Sequence, residues 1–152
     1  MTGQSPATAD QSLAEAVVRR LVAADAKVNA LLGITFVEVS SGKAVCRLMV
    51  GEQHLNSHDV CHGGILFALA DATLAYANCS SNRRGMSLSA NIIYVKAARL
   101  GDVVTATAEV VLDGRSASAS TVRLVNQNDD LIAVFQGSGI RFDKAIIEAP
   151  GA

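Results

Sequence analysis

The sequence predicts an α+β domain in which one largely antiparallel sheet carries a single, very apolar helix. Three observations lead there. Six segments alternate with a period of two, and short turns separate most of them. Between the second and third lies an apolar run, Ile65 to Ala77, dominated by Ala and Leu, whose one charged residue is Asp71. A helix apolar nearly all round must be covered on most sides, and a sheet is the surface that the rest of the chain offers. The tight hairpins exclude a doubly wound parallel arrangement.

The elements follow in order. Residues 1–11, rich in Thr, Ser, Ala and Gln, read as a mobile tail. Residues 12–33 read as an N-terminal helix: Leu13, Val17, Leu21, Ala24, Val28 and Leu31 form one apolar stripe that packs on the sheet. Ser12 with Glu15 has the form of a capping box, and Gly33 is placed to end the helix in a left-handed conformation. Ile34–Val39 and Lys43–Val50 form a hairpin around Ser40-Ser41-Gly42. A polar, His-rich loop follows and closes with Gly63-Gly64, then comes the helix, ending near 79–82. Strands are expected at 87–96, 102–112, 115–127 and 130–142, and residues 143–152 read as a loosely held C-terminal tail. Gly137-Ser138-Gly139 lies inside a strand, as close backbone packing requires.

Composition narrows the function. At 152 residues the chain is one domain, half of it hydrophobic and 18% charged, against a usual charged share of about 25%. That is short of the charge that covers a monomer, and it points to self-association. With 13 Lys+Arg against 14 Asp+Glu, no basic excess exists to neutralise nucleic-acid phosphates. Cys46, Cys61 and Cys79 are odd in number and lie in apolar surroundings, a poor disulfide framework and the pattern of reduced cytosolic thiols. The segment MTGQSPATADQ has no basic or apolar leader pattern, and no run of about 18 uncharged apolar residues occurs. A cytoplasmic location without membrane contact is the expectation.

Two features carry chemistry. His62-Gly63-Gly64 sits where a helix begins, so backbone N–H groups and the positive end of the helix dipole face a ligand oxygen; the alternative is an ordinary loop-to-helix turn. Asp71 is a lone carboxylate whose neighbours one turn away, Phe67, Ala68, Leu74 and Ala75, are all apolar. A carboxylate so placed has a raised pKa or a specific partner and is a candidate base or nucleophile; the alternative, a residue facing solvent on one edge of the helix, is poorly supported by those neighbours. Eight residues separate Gly63 from Asp71, about 12 Å along a helix and a rotation of roughly 80°. One small reacting group cannot touch both in the same chain. If both belong to one site, Asp71 comes from a second subunit whose helix runs antiparallel across a two-fold axis.

Other patterns carry less. His54, His58 and His62 recur at four-residue steps, but Asn56, Ser57 and Asp59 between them argue for a loop, so no metal is expected. Cys61 and His62 are sequence neighbours that point to different faces, which disfavours a cysteine nucleophile. Gly114-Arg115-Ser116 either holds a phosphate through guanidinium and hydroxyl or is a turn followed by a solvated Arg.

At HLNSHDVCHGGILFALADATLAYA, followed by NIIYVKAARLGD and GRSASAS, the sequence resembles the hotdog-fold acyl-CoA thioesterases, most closely the phenylacetic-acid-degradation (PaaI-type) group. The similarity spans about residues 31–142, and the hotdog domain is placed at 34–142. The resemblance implies an antiparallel sheet wrapped around one long central helix, dimers with two interface sites, and dimers of dimers. It implies hydrolysis of acyl-CoA thioesters, with ring-hydroxylated phenylacetyl-CoA favoured, and no cofactor beyond the CoA of the substrate. Asp71 matches the catalytic carboxylate, and the Gly63 N–H matches the donor that polarises the thioester carbonyl. Asn56 matches the side chain that positions water or the carbonyl from the partner subunit, and His62 the residue that shapes the turn. Ser87 matches an assisting serine, and Gly64, Ser87, Arg115 and Ser116 are the candidate substrate and CoA contacts. Lys96-Ala97 stands where the family has a basic residue and proline, and the proline-rich signature of the dehydratase branch is missing. A non-catalytic acyl-CoA-binding domain and an acyl-carrier-protein thioesterase are the alternatives; the balanced charge offers no basic docking patch for the latter.

Overall fold

A computed structural model describes residues 6–148. In chain order it contains α1 (Pro6–Ala24), α2 (Ala26–Leu32), β1 (Ile34–Ser40), β2 (Lys43–Met49), a 3-10 turn at Glu52–His54, α3 (Gly63–Cys79), β3 (Arg83–Tyr94), β4 (Val103–Asp113), β5 (Ala117–Val125) and β6 (Leu131–Ala145). The six strands form one sheet in the order β1-β2-β4-β5-β6-β3, antiparallel at every neighbouring pair. The chain leaves β2 near one edge and re-enters at β3 on the other. The α3 helix therefore crosses the whole sheet, as the apolar run demands.

Alternation decides the faces. In β2 Cys46 and Leu48, and just past its end Val50, are buried while Arg47 and Met49 are exposed, and in β4 the alanines Ala106 and Ala108 lie under the helix with Val104. From α3, Leu66, Leu69, Ala70, Thr73, Leu74, Tyr76 and Ala77 close the core. Phe67 meets Phe135 edge to face at 5.0 Å. The helix sits close because β6 is stripped of side chains beneath it: a Cβ on Gly137 would lie 2.7 Å from Leu74 Cδ1. Gly137→Val is therefore expected to destabilise the domain by about 1–3 kcal/mol through overpacking, read as a lower Tm in thermal unfolding.

The N-terminal boundaries need correction. The expected tail 1–11 and helix 12–33 become a helix that starts at Pro6, breaks at Asp25 and resumes to Leu32; residues 1–5 lie outside the described residues. Ser12 and Glu15 thus lie within α1 instead of opening it, and Gln11 donates to Glu15. Only half of the expected stripe is covered. Val17 is buried, but Val28 is 47% and Leu31 78% exposed. The reason is Tyr76 on α3, whose hydroxyl donates to Asp25 (3.1 Å) and accepts from Asn29 (2.9 Å). That polar anchor at the break turns Asn29 inward and Val28 and Leu31 outward. Gly33 does end α2 in the left-handed region, at φ 73°.

The expected tail 143–152 is also shorter. The β6 strand runs to Ala145, and the Asn82 side chain then accepts from the Ile146 and Ile147 N–H groups and donates to the Ile147 carbonyl. Asn82 itself stands at φ 59°, a left-handed conformation that asparagine tolerates. Residues 149–152 lie outside the described residues. At the other boundaries the strands lie within a few residues of their expected places, β3 starting four earlier, at Arg83. No helix among the described residues is long and apolar enough to cross a membrane.

Candidate active site

The loop from Gly51 to His62 is built around a buried histidine. His54 Nδ1 accepts from the Gly51 N–H (3.0 Å), and its carbonyl accepts from the His62 N–H (2.8 Å). Asn56 closes the next turn: its side-chain oxygen accepts from the N–H groups of His58 (2.9 Å) and Val60 (3.4 Å). The carboxamide oxygen is thus occupied by the loop, and the NH2 end remains to donate to a ligand. His58 is exposed. The three histidines have separate surroundings, and among the described residues no group of three His, Cys, Asp or Glu could hold a metal ion.

His62 is the N-cap of α3. Its Nδ1 accepts from the Gly64 N–H at 2.9 Å, so the neutral ring carries its proton on Nε2. The His62 carbonyl accepts from the Ile65 N–H at 2.9 Å. The Gly64 N–H is consequently taken up in the cap. The Gly63 N–H, at the first helical position, has no intrahelical acceptor and lies at the positive end of the dipole. It is the group positioned to stabilise a developing oxyanion.

Tyr94 is the residue that sequence reasoning missed. Its hydroxyl donates to the Gly63 carbonyl at 2.8 Å, and a Cβ on Gly63 would fall 2.8 Å from its Cζ and hydroxyl. The tyrosine covers the first turn of α3 and requires glycine there. A tyrosine ending a strand reads as β-propensity alone, so nothing in the sequence announces this contact. Tyr94→Phe keeps the ring and deletes the hydrogen bond; a loss of about fivefold in kcat/KM is expected from a bond of about 1 kcal/mol, checked by steady-state thioester hydrolysis.

Asp71 lies two turns further on, at the edge of the buried face, with half-buried Ala68 and Ala75 on the same flank of α3. Desolvation raises its pKa above the ordinary 3.8, with no compensating cause. Below this flank, Ala75, Asn78, Ser87, Ser118 and Arg141 line a crevice of about 40 Å³. Ser87 therefore shares the Asp71 side of the sheet, opposite Gly139 in register. Cys61 is buried and its thiol is pushed up to about 11 by that burial, the setting of an inert core thiol.

The structure does not bring Arg115 and Ser116 to Gly63 of the same chain. The turn that holds them is tied to Arg83, which donates to the Gly114 and Arg115 carbonyls, and the Arg141 N–H donates to the Ser116 carbonyl. The Arg141 guanidinium also donates to the Asn78 carbonyl, which places the turn at the C-terminal end of α3, about 22 Å along the helix from Gly63. His62 and Tyr94 meet the start of α3 around Gly63, with Asn56 in the loop that leads to it; Asp71 and the Ser87 crevice lie further along the helix.

A long helix laid across an antiparallel sheet is the architecture of a hotdog domain, and this one carries an N–H without an intrahelical acceptor at the start of that helix and a desolvated carboxylate on its flank. Comparison with known proteins narrows the class. Residues 58–133 match the family model of the thioesterase superfamily. The acyl-coenzyme A thioesterase PaaI of Escherichia coli (strain K12) is 36% identical over 115 residues, covering 76% of this chain and 82% of that one. The solved structure of the E. coli PaaI protein superposes with a TM-score of 0.85 at 32% identity, covering 89% of this chain and 97% of that one. A hypothetical thioesterase of Streptococcus pneumoniae TIGR4, solved with coenzyme A, superposes at TM-score 0.75 and 26% identity, covering 80% and 98%. The chain belongs to the thioesterase superfamily of hotdog proteins and is a thioester hydrolase.

Proposed function

We propose that this protein hydrolyses acyl-CoA thioesters at two equivalent sites formed between two copies of the chain, with aromatic acyl groups of the hydroxyphenylacetyl type as the preferred class. The observation that carries the reading is the unpaired Asp71 carboxylate on the same helix as the open Gly63 N–H, too far along it to share one reacting group. A PaaI relative named as an acyl-CoA thioesterase and a neighbour solved with coenzyme A support the substrate class.

The chemistry divides between subunits. The thioester carbonyl accepts a hydrogen bond from the Gly63 N–H of one subunit, and the Asn56 NH2 of that same subunit orients the carbonyl or the water. Asp71 of the other subunit takes a proton from water as it attacks, or attacks the carbonyl itself to give an anhydride that water then opens. The C–S bond breaks, CoA leaves as a thiol and the acyl group leaves as a carboxylic acid. Ser87, beside the Asp71 flank, and the Arg115-Ser116 turn are proposed as contacts to the substrate.

An edge strand supports the pairing. The twelve residues of β3 end the sheet, and Leu88, Ile93 and Tyr94 on it are all at least half exposed. A long apolar edge of this kind is covered in stable proteins, and a second copy of the same strand covers it symmetrically. Val111 and Leu112 on β4 offer a further apolar strip for a dimer of dimers. Three free cysteines fit a reducing, cytoplasmic setting. A panel of acyl-CoA esters assayed by thiol release tests the proposal: turnover fastest on hydroxylated phenylacetyl esters is expected, and binding without thiol release would replace it by a non-catalytic acyl-CoA domain.

A further inference from the structure

A second site lies beyond the C-terminal end of α3. There α1, β3 and the end of β6 enclose a groove of about 520 Å³, within the range of small-molecule sites. Its walls are Leu21, Met86, Phe142 and Ile146, and Met86 and Phe142 are 65% and 40% exposed. Two large apolar side chains held open side by side form a surface that gains by being covered. Three cations, Arg20, Arg84 and Lys144, line the same groove. Among the described residues the ion pairs join Lys43 to Glu109, Arg83 and Arg141 to Asp113, and Lys96 to Asp130, and none of them uses those three cations.

The lining selects one chemistry. It contains no acidic, hydroxyl or carboxamide side chain, so nothing in it reads the hydrogen-bonding pattern of a base or a sugar. The Cys79 thiol, held neutral by burial, contributes one more apolar wall. An alkyl body satisfies the walls, and a single anionic head satisfies the cations. We infer that this groove binds a fatty carboxylate, with its chain on Met86, Phe142 and Ile146 and its head on Arg84, Lys144 and Arg20. Cys79 is eight residues beyond Asp71, about 12 Å along α3, and the groove adjoins the Ser87 crevice through Cys79, Gly85 and Met86 without including Asp71 or Ser87.

Calorimetric titration of the full chain with decanoate, below its aggregation concentration, tests this. Saturable binding of one decanoate per chain is expected. It should weaken about tenfold for 1-decanol and about tenfold in the double variant Arg84→Gln/Lys144→Gln, and it should be unchanged in Asp71→Asn and in the presence of coenzyme A. No saturable binding, or equal affinity for decanol, would overturn the assignment. So would displacement of decanoate by coenzyme A, which would move it to the thioester site. Dissociation of the assembly by Phe142→Ser in sedimentation would make the groove an interface between copies instead.

Discussion

Asp71→Asn is expected to lower kcat for thioester hydrolysis by about 10²–10⁴, in a protein at least as stable as the parent. The substitution keeps the shape of the side chain and removes its ability to hold a proton or attack a carbonyl. Stability moves the other way. Desolvation raises the Asp71 pKa above 3.8 in the folded chain, so the folded state holds this proton to higher pH than the unfolded state. For an acid shifted upward, the favourable contribution is present below 3.8 and is lost as pH rises through the folded value. Asparagine does not ionise. The Tm of the variant should exceed that of the parent at pH 7, and the gap should close as pH falls toward 3.8. The parent needs the carboxylate for turnover, so the acid limb of its kcat/KM profile should lie above the ordinary carboxylate range. A folded Asp71→Asn protein with near-parental kcat would remove Asp71 from the mechanism.

Gly63→Ala should approach the loss of about 10²–10³ in kcat that follows removal of an oxyanion donor. Alanine keeps the N–H, and the damage arises from Tyr94: the new Cβ would meet its Cζ and hydroxyl at 2.8 Å, so either the ring or the first turn of α3 must move. A displacement of that size misaims the N–H away from the developing charge. Trimming the obstacle in Gly63→Ala/Tyr94→Val should restore part of the rate. Parental kcat in Gly63→Ala alone would show that the helix start plays no part in catalysis.

The sheet and α3 were legible because their periods are strong and because each hairpin carries its own turn residues. Asp71 and Gly63 were legible for a different reason: a lone carboxylate in an apolar helix and two glycines at its start each break a local rule. The N-terminal boundaries misled because Ser12 and Glu15 copy the form of a cap inside a run that is helical from Pro6 onward. The break at Asp25 has no local signal. It rests on Tyr76, 51 residues away, whose hydroxyl sits between Asp25 and Asn29. Tyr94 over Gly63 and Asn82 holding Ile146 and Ile147 are likewise contacts between distant segments, which no spacing in the sequence encodes.

That each site is built from two subunits is tested most directly by complementation. Asp71→Asn removes the carboxylate from one half-site. Asn56→Asp removes only the NH2 donor from the other, because an aspartate oxygen still accepts from the His58 and Val60 N–H groups. Each variant alone should be nearly inactive. Unfolded together and refolded at equal concentration, half of the dimers are mixed, and each mixed dimer holds one site with an intact Asp71 and an intact Asn56 opposite it. Recovery of about one quarter of the parental activity per chain is the expected result. A mixture no more active than its two components would place Asn56 and Asp71 of the same chain in one site and contradict the shared-site account.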